Sequence, residues 1–265
     1  MYDSRPLYNQ PEIYLSRILL IDIETAPNKV WSWGLWDQTI GTNQVEETSY
    51  TLCWAAKWLG SKEVMFDSVK KSGLKNMMKR MHDLLNEADV VIHYNGCKFD
   101  VPTLNKEFII LGFPPPSPYK QIDCMREVKR MFRFQSNKLA FVSESLGIGS
   151  KIAHEGFELW VKCMDPKRKG HASAWKRMKD YNREDVKLLE KLYKRLRPWI
   201  KNHPNVSEHD GKLACPKCAS KKYQQRGWAG NSKGKYARMQ CLDCFSWFRD
   251  TKEIRRGKAQ RSANA

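Results

Sequence analysis

Two periods of apolar residues organise this chain, one of strands and one of helices. Runs of strand length fall near residues 16–24, 50–58, 62–67 and 89–94; the first reads Ile18-Leu19-Leu20-Ile21-Asp22-Ile23-Glu24 and the last Asp89-Val90-Val91-Ile92-His93-Tyr94. Between them the spacing changes to three and four: Leu74, Met77, Met78, Met81, Leu84 and Leu85 predict a helix over 74–88, and a second helix is expected over about 101–111. Trp175, Met178, Leu188, Leu189, Leu192 and Leu196 form the apolar stripe of a late helix, and Pro114-Pro115-Pro116 marks a loop. Three strands, then a helix and a parallel strand, predict an α/β fold with a mixed sheet flanked by helices.

Polar residues inside these apolar patterns carry the chemistry. Alternation along a strand sends Asp22 and Glu24 to one face. Asn95-Gly96 supplies a turn and Phe99-Asp100-Val101-Pro102 opens a helix, so Asp100 sits near a helix start, where an acid is electrostatically favoured. Tyr181 and Asp185, four apart, fall within the stripe of the late helix. A carboxylate on a core-facing side is protonated unless something pairs with it, and four converging carboxylates repel one another. Mg²⁺ or Mn²⁺ is a hard cation that takes oxygen ligands and leaves positions open for phosphate, and a pair of such ions serves phosphodiester hydrolysis.

Taken singly, the pieces have plainer readings. Asp-x-Glu is common at strand ends, and Tyr and Asp four apart are often a surface pair. Together, and in order, Asp-x-Glu on a strand, Asn-x-x-x-Phe-Asp, and Tyr-x-x-x-Asp on a helix resemble the DEDD superfamily of 3′–5′ exonucleases in its tyrosine branch (DEDDy), of DnaQ-like, ribonuclease H-like fold. The likeness covers roughly residues 14–200. It extends to the 132–149 segment with Asn137-Lys138-Leu139 and Leu146-Gly147-Ile148-Gly149, and to the end of the late helix, which resemble phage-type stand-alone exonucleases and the proofreading domains of family B polymerases. The histidine branch would need His where Asp180 stands, so Tyr181 defines the branch. The resemblance implies two Mg²⁺ or Mn²⁺ ions. Asp22, Glu24 and Asp185 would bind the one carrying the attacking water, Asp22 would bridge to the second, Asp100 would hold that second ion directly or through water, and Tyr181 would orient the water. A phenol near its free pKa of about 10 is a poor base at neutral pH, so Tyr181 is expected to aim the water rather than deprotonate it.

Nearby residues have lesser expectations. Trp31, Trp33 and Trp36 follow the first motif and either stack on a terminal base or anchor their loop by burial; the sequence leaves both open. Phe99 is expected to pack in the core and fix Asp100, and Asp123 to be structural or to support the site from behind. Lys98 and Lys138 could reach phosphate or simply be solvated. His93, His154 and His171 share no metal-ligand spacing and read as ordinary polar contacts.

Cys215-Pro-Lys-Cys218 and Cys241-Leu-Asp-Cys244, separated by 22 residues, have the spacing of a four-cysteine site for one structural Zn²⁺. Two disulfides or a redox dithiol are the other uses, and neither suits a chain with no export signal. The wording resembles zinc ribbons of transposases and transcription proteins, although Ala219 and Phe245 stand where those knuckles usually carry Gly. Cys53, Cys97, Cys124 and Cys163 are scattered like reduced core residues.

Composition then divides the molecule. An exonuclease domain is expected over 1–200, a Pro- and Gly-containing linker over 201–211, a zinc ribbon over 212–250 and a basic tail, expected to be disordered, over 251–265. The formal net charge is +18 over 265 residues, and residues 212–265 carry 14 Lys and Arg against 3 Asp and Glu. This excess, interleaved with Tyr223, Trp228, Tyr236 and Trp247, suits single-stranded nucleic acid, though the aromatics serve equally well as a small ribbon core. No run of about 18 apolar residues and no signal peptide is present, which excludes a membrane helix and implies an intracellular protein, in the cytoplasm of a bacterial host if phage-encoded. The expected activity is 3′–5′ exonucleolytic hydrolysis of single-stranded DNA at 3′ ends, with replication proteins as possible partners. A ribonuclease or structure-selective endonuclease on the same fold, and a catalytically silent nucleic-acid or replisome adaptor, are the alternatives.

Overall fold

The computed structural model describes residues 16–153, 155–207, 212–231 and 234–250. It divides into two compact units, Arg17–Leu196 and Arg197–Ala265. His154 and the tail over 251–265 lie outside the described residues.

The first unit contains β1 (Ile18–Thr25), a two-stranded arm of β2 (Lys29–Val30) and β3 (Val45–Glu47), then β4 (Thr51–Trp58), β5 (Met65–Ser68), α1 (Val69–Glu87), β6 (Val90–His93), α2 (Asp100–Ile110), β7 (Lys120–Asp123), α3 (Cys124–Met131), α4 (Leu139–Ser145), α5 (Phe157–Met164) and α6 (His171–Leu196). Five strands form one sheet in the order β5-β4-β1-β6-β7. β1 runs antiparallel to β4 and parallel to β6, and β6 runs parallel to β7, so the sheet is mixed as expected. The β2–β3 arm and the short edge strand β7 were not foreseen: a two-residue strand and a four-residue strand of Lys, Gln, Ile and Asp carry too little apolar periodicity to be read.

Alternation along β1 assigns its two faces. Leu19, Ile21 and Ile23 pack with Trp54, Ala56, Met77, Met78, Met81, Leu104 and Phe108, so α1 and α2 cover one side of the sheet. The other side is covered by α5 and α6, where Ala26, Leu52 and Cys53 meet Leu159, Cys163, Ala174, Trp175, Met178 and Tyr181. Asp22 and Glu24, out of phase with the first set, share the face toward α6. α1 begins earlier than the apolar spacing predicts, because Ser68 caps it by accepting from Lys71 N at 3.3 Å; Gly73, at φ 72° and ψ 158°, interrupts the helix soon after.

One buried ion pair fastens α6 to the sheet. Lys57 on β4 pairs with Glu190, which also takes Lys194 at 2.6 Å, and both Lys57 and Glu190 are buried. Glu190→Ala would leave the Lys57 ammonium in the interior without its partner, a loss of about 3 kcal/mol. The expected outcome in urea is a lower unfolding midpoint at unchanged slope.

In the second unit, β8 (Tyr223–Asn231), β9 (Gly234–Cys241) and β10 (Trp247–Arg249) form an antiparallel sheet in the order β10-β9-β8. Residues 201–207, expected as linker, belong to this unit: Val206 is buried and donates from N to Pro216 O at 2.8 Å, while Lys217 Nζ reaches Arg197 O at 3.2 Å and Pro198 O at 2.9 Å. Residues 208–211 lie outside the described ones. Among the described residues no helix is long and apolar enough to cross a membrane.

Candidate active site

The β1 acids meet the α6 acid across the packed interface of strand and helix. One carboxylate oxygen from each of Asp22, Glu24 and Asp185 lies within 4.8 Å of the others. Asp100, the first residue of α2, is buried, and its Oδ1 accepts a hydrogen bond from Ile23 N at 3.2 Å, which ties it to β1 between the two strand acids. Asn182, one residue along α6 from Tyr181, is fully buried and donates from Nδ2 to Asp22 Oδ2 at 2.7 Å and to Asp22 O at 3.2 Å. It was not singled out in the sequence, yet it fixes the orientation of Asp22.

The cluster resists carrying its full charge. Burial, reinforced by Glu24, Asp100 and Asp185, pushes Asp22 well above the usual carboxylate range. Burial and then Asp185 push Glu24 up to about 8, and burial pushes Asp100 up to about 7. All-oxygen donors in this state fit a hard divalent cation, whose charge would let every carboxylate ionise.

Lys151, in the segment after α4, also points into this cluster. Its ammonium pairs with Asp185 and donates to Tyr181 Oη at 3.0 Å, with Nζ 5.1 Å from the centre of the Tyr181 ring. Burial works against this ammonium, but Asp185 and Tyr181 outweigh it and raise its pKa. Burial and the Asp185 charge push the Tyr181 phenol up, which keeps it protonated at neutral pH, so that it can donate a hydrogen bond but not take a proton. Trp160 of α5 packs edge-on to Tyr181 at 6.2 Å and hydrogen-bonds Glu24. Nothing along the chain marks Lys151 or Trp160: neither sits at a fixed spacing from an acid.

The turn that delivers Asp100 is held from β7. Asp123 caps α3, and its carboxylate also accepts from Asn95 N at 2.9 Å and Cys97 N at 3.4 Å, the supporting part expected of it. Asn95 takes φ 68°, and Gly96 donates to His93 Nδ1 at 3.0 Å; a Cβ on Gly96 would stand 2.3 Å from the His93 ring, so only glycine fits. His93 bonds Gln121 at 3.1 Å and His171 bonds Lys162 O at 2.9 Å, ordinary polar contacts, although His93 also gathers with Cys97 and Asp123. Arg126 stands 3.6 Å from Cys97 Sγ, which disfavours a cation there.

Phe99 departs from expectation. It is 44% exposed rather than core, because α2 starts immediately after it and its own φ/ψ of −125° and −69° turns it outward. Lys98 and Lys138 are exposed. Lys138, Lys129 and Lys151 line a cavity of about 590 Å³ together with Tyr94, Asn95, Met125, Asn137, Leu139 and Ala140. This basic hollow reaches the carboxylates through Lys151.

In the second unit the four cysteines Cys215, Cys218, Cys241 and Cys244 offer sulfurs within 4.8 Å of one another, and none is in a disulfide. The Cys215–Cys244 and Cys218–Cys241 separations are both 3.6 Å, close to the edge of about 3.8 Å of a tetrahedron with Zn–S of about 2.3 Å. Ala219 and Phe245 take φ 58° and 61°, so both knuckles keep the left-handed turn that glycine ordinarily supplies. The ribbon aromatics divide between the two uses the sequence left open. Phe248 packs on the cysteines and edge-on to Tyr223, whereas Trp228 and Trp247 are exposed. Lys235 lies over Trp228 at 5.5 Å, Arg238 over Trp247 at 5.3 Å and Arg249 over Tyr236 at 5.4 Å.

Residues 19–197 match the family model RNase_H_2, described as RNase_H superfamily. No curated protein matches the sequence. Among solved structures, the chain is similar to the family B DNA polymerase from the hyperthermophilic archaeon Pyrobaculum calidifontis, with a TM-score of 0.53 and 17% identity, over 69% of this chain and 25% of the polymerase. At that identity the likeness concerns the fold.

Proposed function

The chain belongs to the ribonuclease H superfamily and has a nuclease fold, and we propose from that premise that it is a 3′–5′ exonuclease hydrolysing single-stranded DNA with two Mg²⁺ or Mn²⁺ ions. The observation that carries this reading is the convergence of Asp22, Glu24 and Asp185 against a β1 backbone to which Asp100 is hydrogen-bonded. Asp22, Glu24, Asp185 and Asp100 would hold the ions, which when bound supply a hydroxide nucleophile at neutral pH and charge for the leaving oxygen. Asn182 keeps Asp22 in its rotamer, Tyr181 aims the attacking water, and Lys151, released from Asp185, turns its ammonium to the scissile phosphate. The unpaired 3′ end enters by the basic hollow beside Lys129 and Lys138, and exposed Phe99 offers a face to a base. The second unit holds one structural Zn²⁺ and adds affinity for the strand, or for a replication protein, through its cation-backed aromatics.

A time course on 5′-labelled single-stranded DNA and a matched RNA tests this directly. The expected result is a metal-dependent ladder shortening from the 3′ end, faster on DNA. Faster loss of RNA would make it a ribonuclease, internal fragments an endonuclease, and binding with no cleavage of either strand a silent adaptor.

A further inference from the structure

Immediately beyond the carboxylates the chain leaves the sheet as an arm. Ala26 N donates to Tyr50 O at 2.8 Å and Ser49 N to Asn28 Oδ1 at 2.6 Å, closing its neck between the end of β1 and the start of β4. Lys106 on α2 ties that neck to the element that begins with Asp100, by a 2.6 Å bond to Ser49 O. Beyond the β2–β3 pair the loop is knitted to itself. Trp31 N donates to Gln44 O at 2.8 Å, Gln44 Nε2 to Trp31 O at 3.0 Å, Gly41 N to Gln44 Oε1 at 2.8 Å, and Gln38 Nε2 to Trp36 O at 2.9 Å. A loop organised by its own hydrogen bonds would ordinarily turn its large side chains inward. Here they point out: Trp33 is 98% exposed, Leu35 91%, Trp36 82% and Trp31 71%. Burial as loop anchors, one of the two expectations for these tryptophans, is therefore not what holds the loop.

We infer that Trp33 and Trp36 form a stacking platform for the unpaired bases just behind the 3′ end, which makes the enzyme select single strands; this rests on the nuclease reading above. Three features favour bases over other occupants. The arm is rooted at the end of the strand that carries Asp22 and Glu24, so whatever lies on it continues into the site. Its exposed apolar surface is chiefly flat indole, which matches any base face, and such faces are free in a single strand and covered in a duplex. Its charge is unsuited to gripping phosphate: Lys29 is held by Glu46 at 3.2 Å and Glu47 at 3.4 Å, and Asp37 adds a further negative charge. The arm thus contributes stacking, and the lysine-lined hollow contributes the electrostatics.

The test compares full-length parent with Trp33→Leu/Trp36→Leu and Trp33→Phe/Trp36→Phe proteins. Binding of a fluorescein-labelled dodecameric oligothymidylate is read by anisotropy in Ca²⁺, and KM and kcat on the same strand are read in Mg²⁺ or Mn²⁺. The leucine pair should bind about tenfold more weakly, with the loss in KM rather than kcat, and the phenylalanine pair should recover to within about threefold of the parent. The slope of log affinity against log salt should be the same in all three proteins, since no phosphate contact has been removed. Affinity of the leucine pair equal to the parent's, leucine and phenylalanine pairs weakened alike, or a slope that falls with affinity would each overturn the platform. A parent that cuts neither DNA nor RNA would instead defeat the nuclease reading, while anisotropy would still report on the arm.

Discussion

Asp22→Asn should lower metal-dependent cleavage by about three orders of magnitude or more, while Tyr181→Phe should lower it only about ten- to a hundredfold. The contrast follows from what each side chain is asked to do. Asp22 lies among Glu24, Asp100 and Asp185, and the carboxamide oxygen that replaces its carboxylate can still accept from Asn182, so the substitution removes charge and leaves shape. Without that charge the remaining acids lose the shared ligand on which ion binding would depend. Tyr181 is proposed only to orient the water, and with Phe in its place the ring would still pack on Trp160. Stability should move the other way. The acids of the cluster repel one another when ionised, so in the presence of a chelator Asp22→Asn should melt at or above the temperature of the parent. Rates on a labelled strand and thermal midpoints from circular dichroism check both parts. A variant that keeps a tenth of the parent rate would show that Asp22 is not an essential ligand.

Removing zinc should have the largest effect on stability. Cys215, Cys241 and Cys244 are buried, and the apolar core around them is little more than Phe248, so on the proposed reading a metal ion rather than packing would hold the ribbon. Structural zinc contributes on the order of 10 kcal/mol in small domains, and a zinc ion bound here would also offset the left-handed turns at Ala219 and Phe245, about 1–2 kcal/mol each. Cys215→Ser/Cys244→Ser, or a strong chelator, should therefore abolish zinc in elemental analysis and open the ribbon to protease. The unit Arg17–Leu196, which has its own two-sided core, should stay resistant. Strand binding should weaken, and its dependence on salt should flatten, because the ordered cations over Trp228 and Trp247 are lost together. Deleting everything from Lys212 onward should do the same and leave metal chemistry in place; equal salt slopes with and without the ribbon would remove it from the binding surface.

What could be read in the sequence was what local period exposes. Asp22 and Glu24 declare themselves because two acids interrupt an apolar strand in phase, and Tyr181 and Asp185 because they sit in phase with a helix stripe; Asp100 follows from the Asn95-Gly96 turn and the helix after it. Lys151 carried no such mark. It is one of 47 lysines and arginines and lies in irregular chain, so only the fold brings it to Asp185. Asn182 was hidden for the opposite reason, standing beside the residue that drew notice. Phe99 differs from its expected place because an aromatic next to a buried acid is usually packed with it, whereas the start of α2 turns successive side chains in different directions. The glycine-free knuckles show a further limit: Ala219 and Phe245 adopt a backbone that their side chains disfavour, in turns closed by Ala219 N to Cys215 O at 2.8 Å and Phe245 N to Cys241 O at 3.1 Å.

The position of β1 has a consequence for how the molecule comes apart. It is the middle strand of five, bonded to β4 along one side and β6 along the other, and Leu19, Leu20 and Ile21 are wholly enclosed. Partial openings that release the sheet edges β5 or β7, or the tryptophan arm, leave β1 flanked on both sides. Amide hydrogens of β1 should accordingly exchange with solvent only through complete unfolding, while those of the arm exchange through small local openings. Two acids of the proposed site are thus carried by the last part of the sheet to yield, next to an arm expected to open among the first.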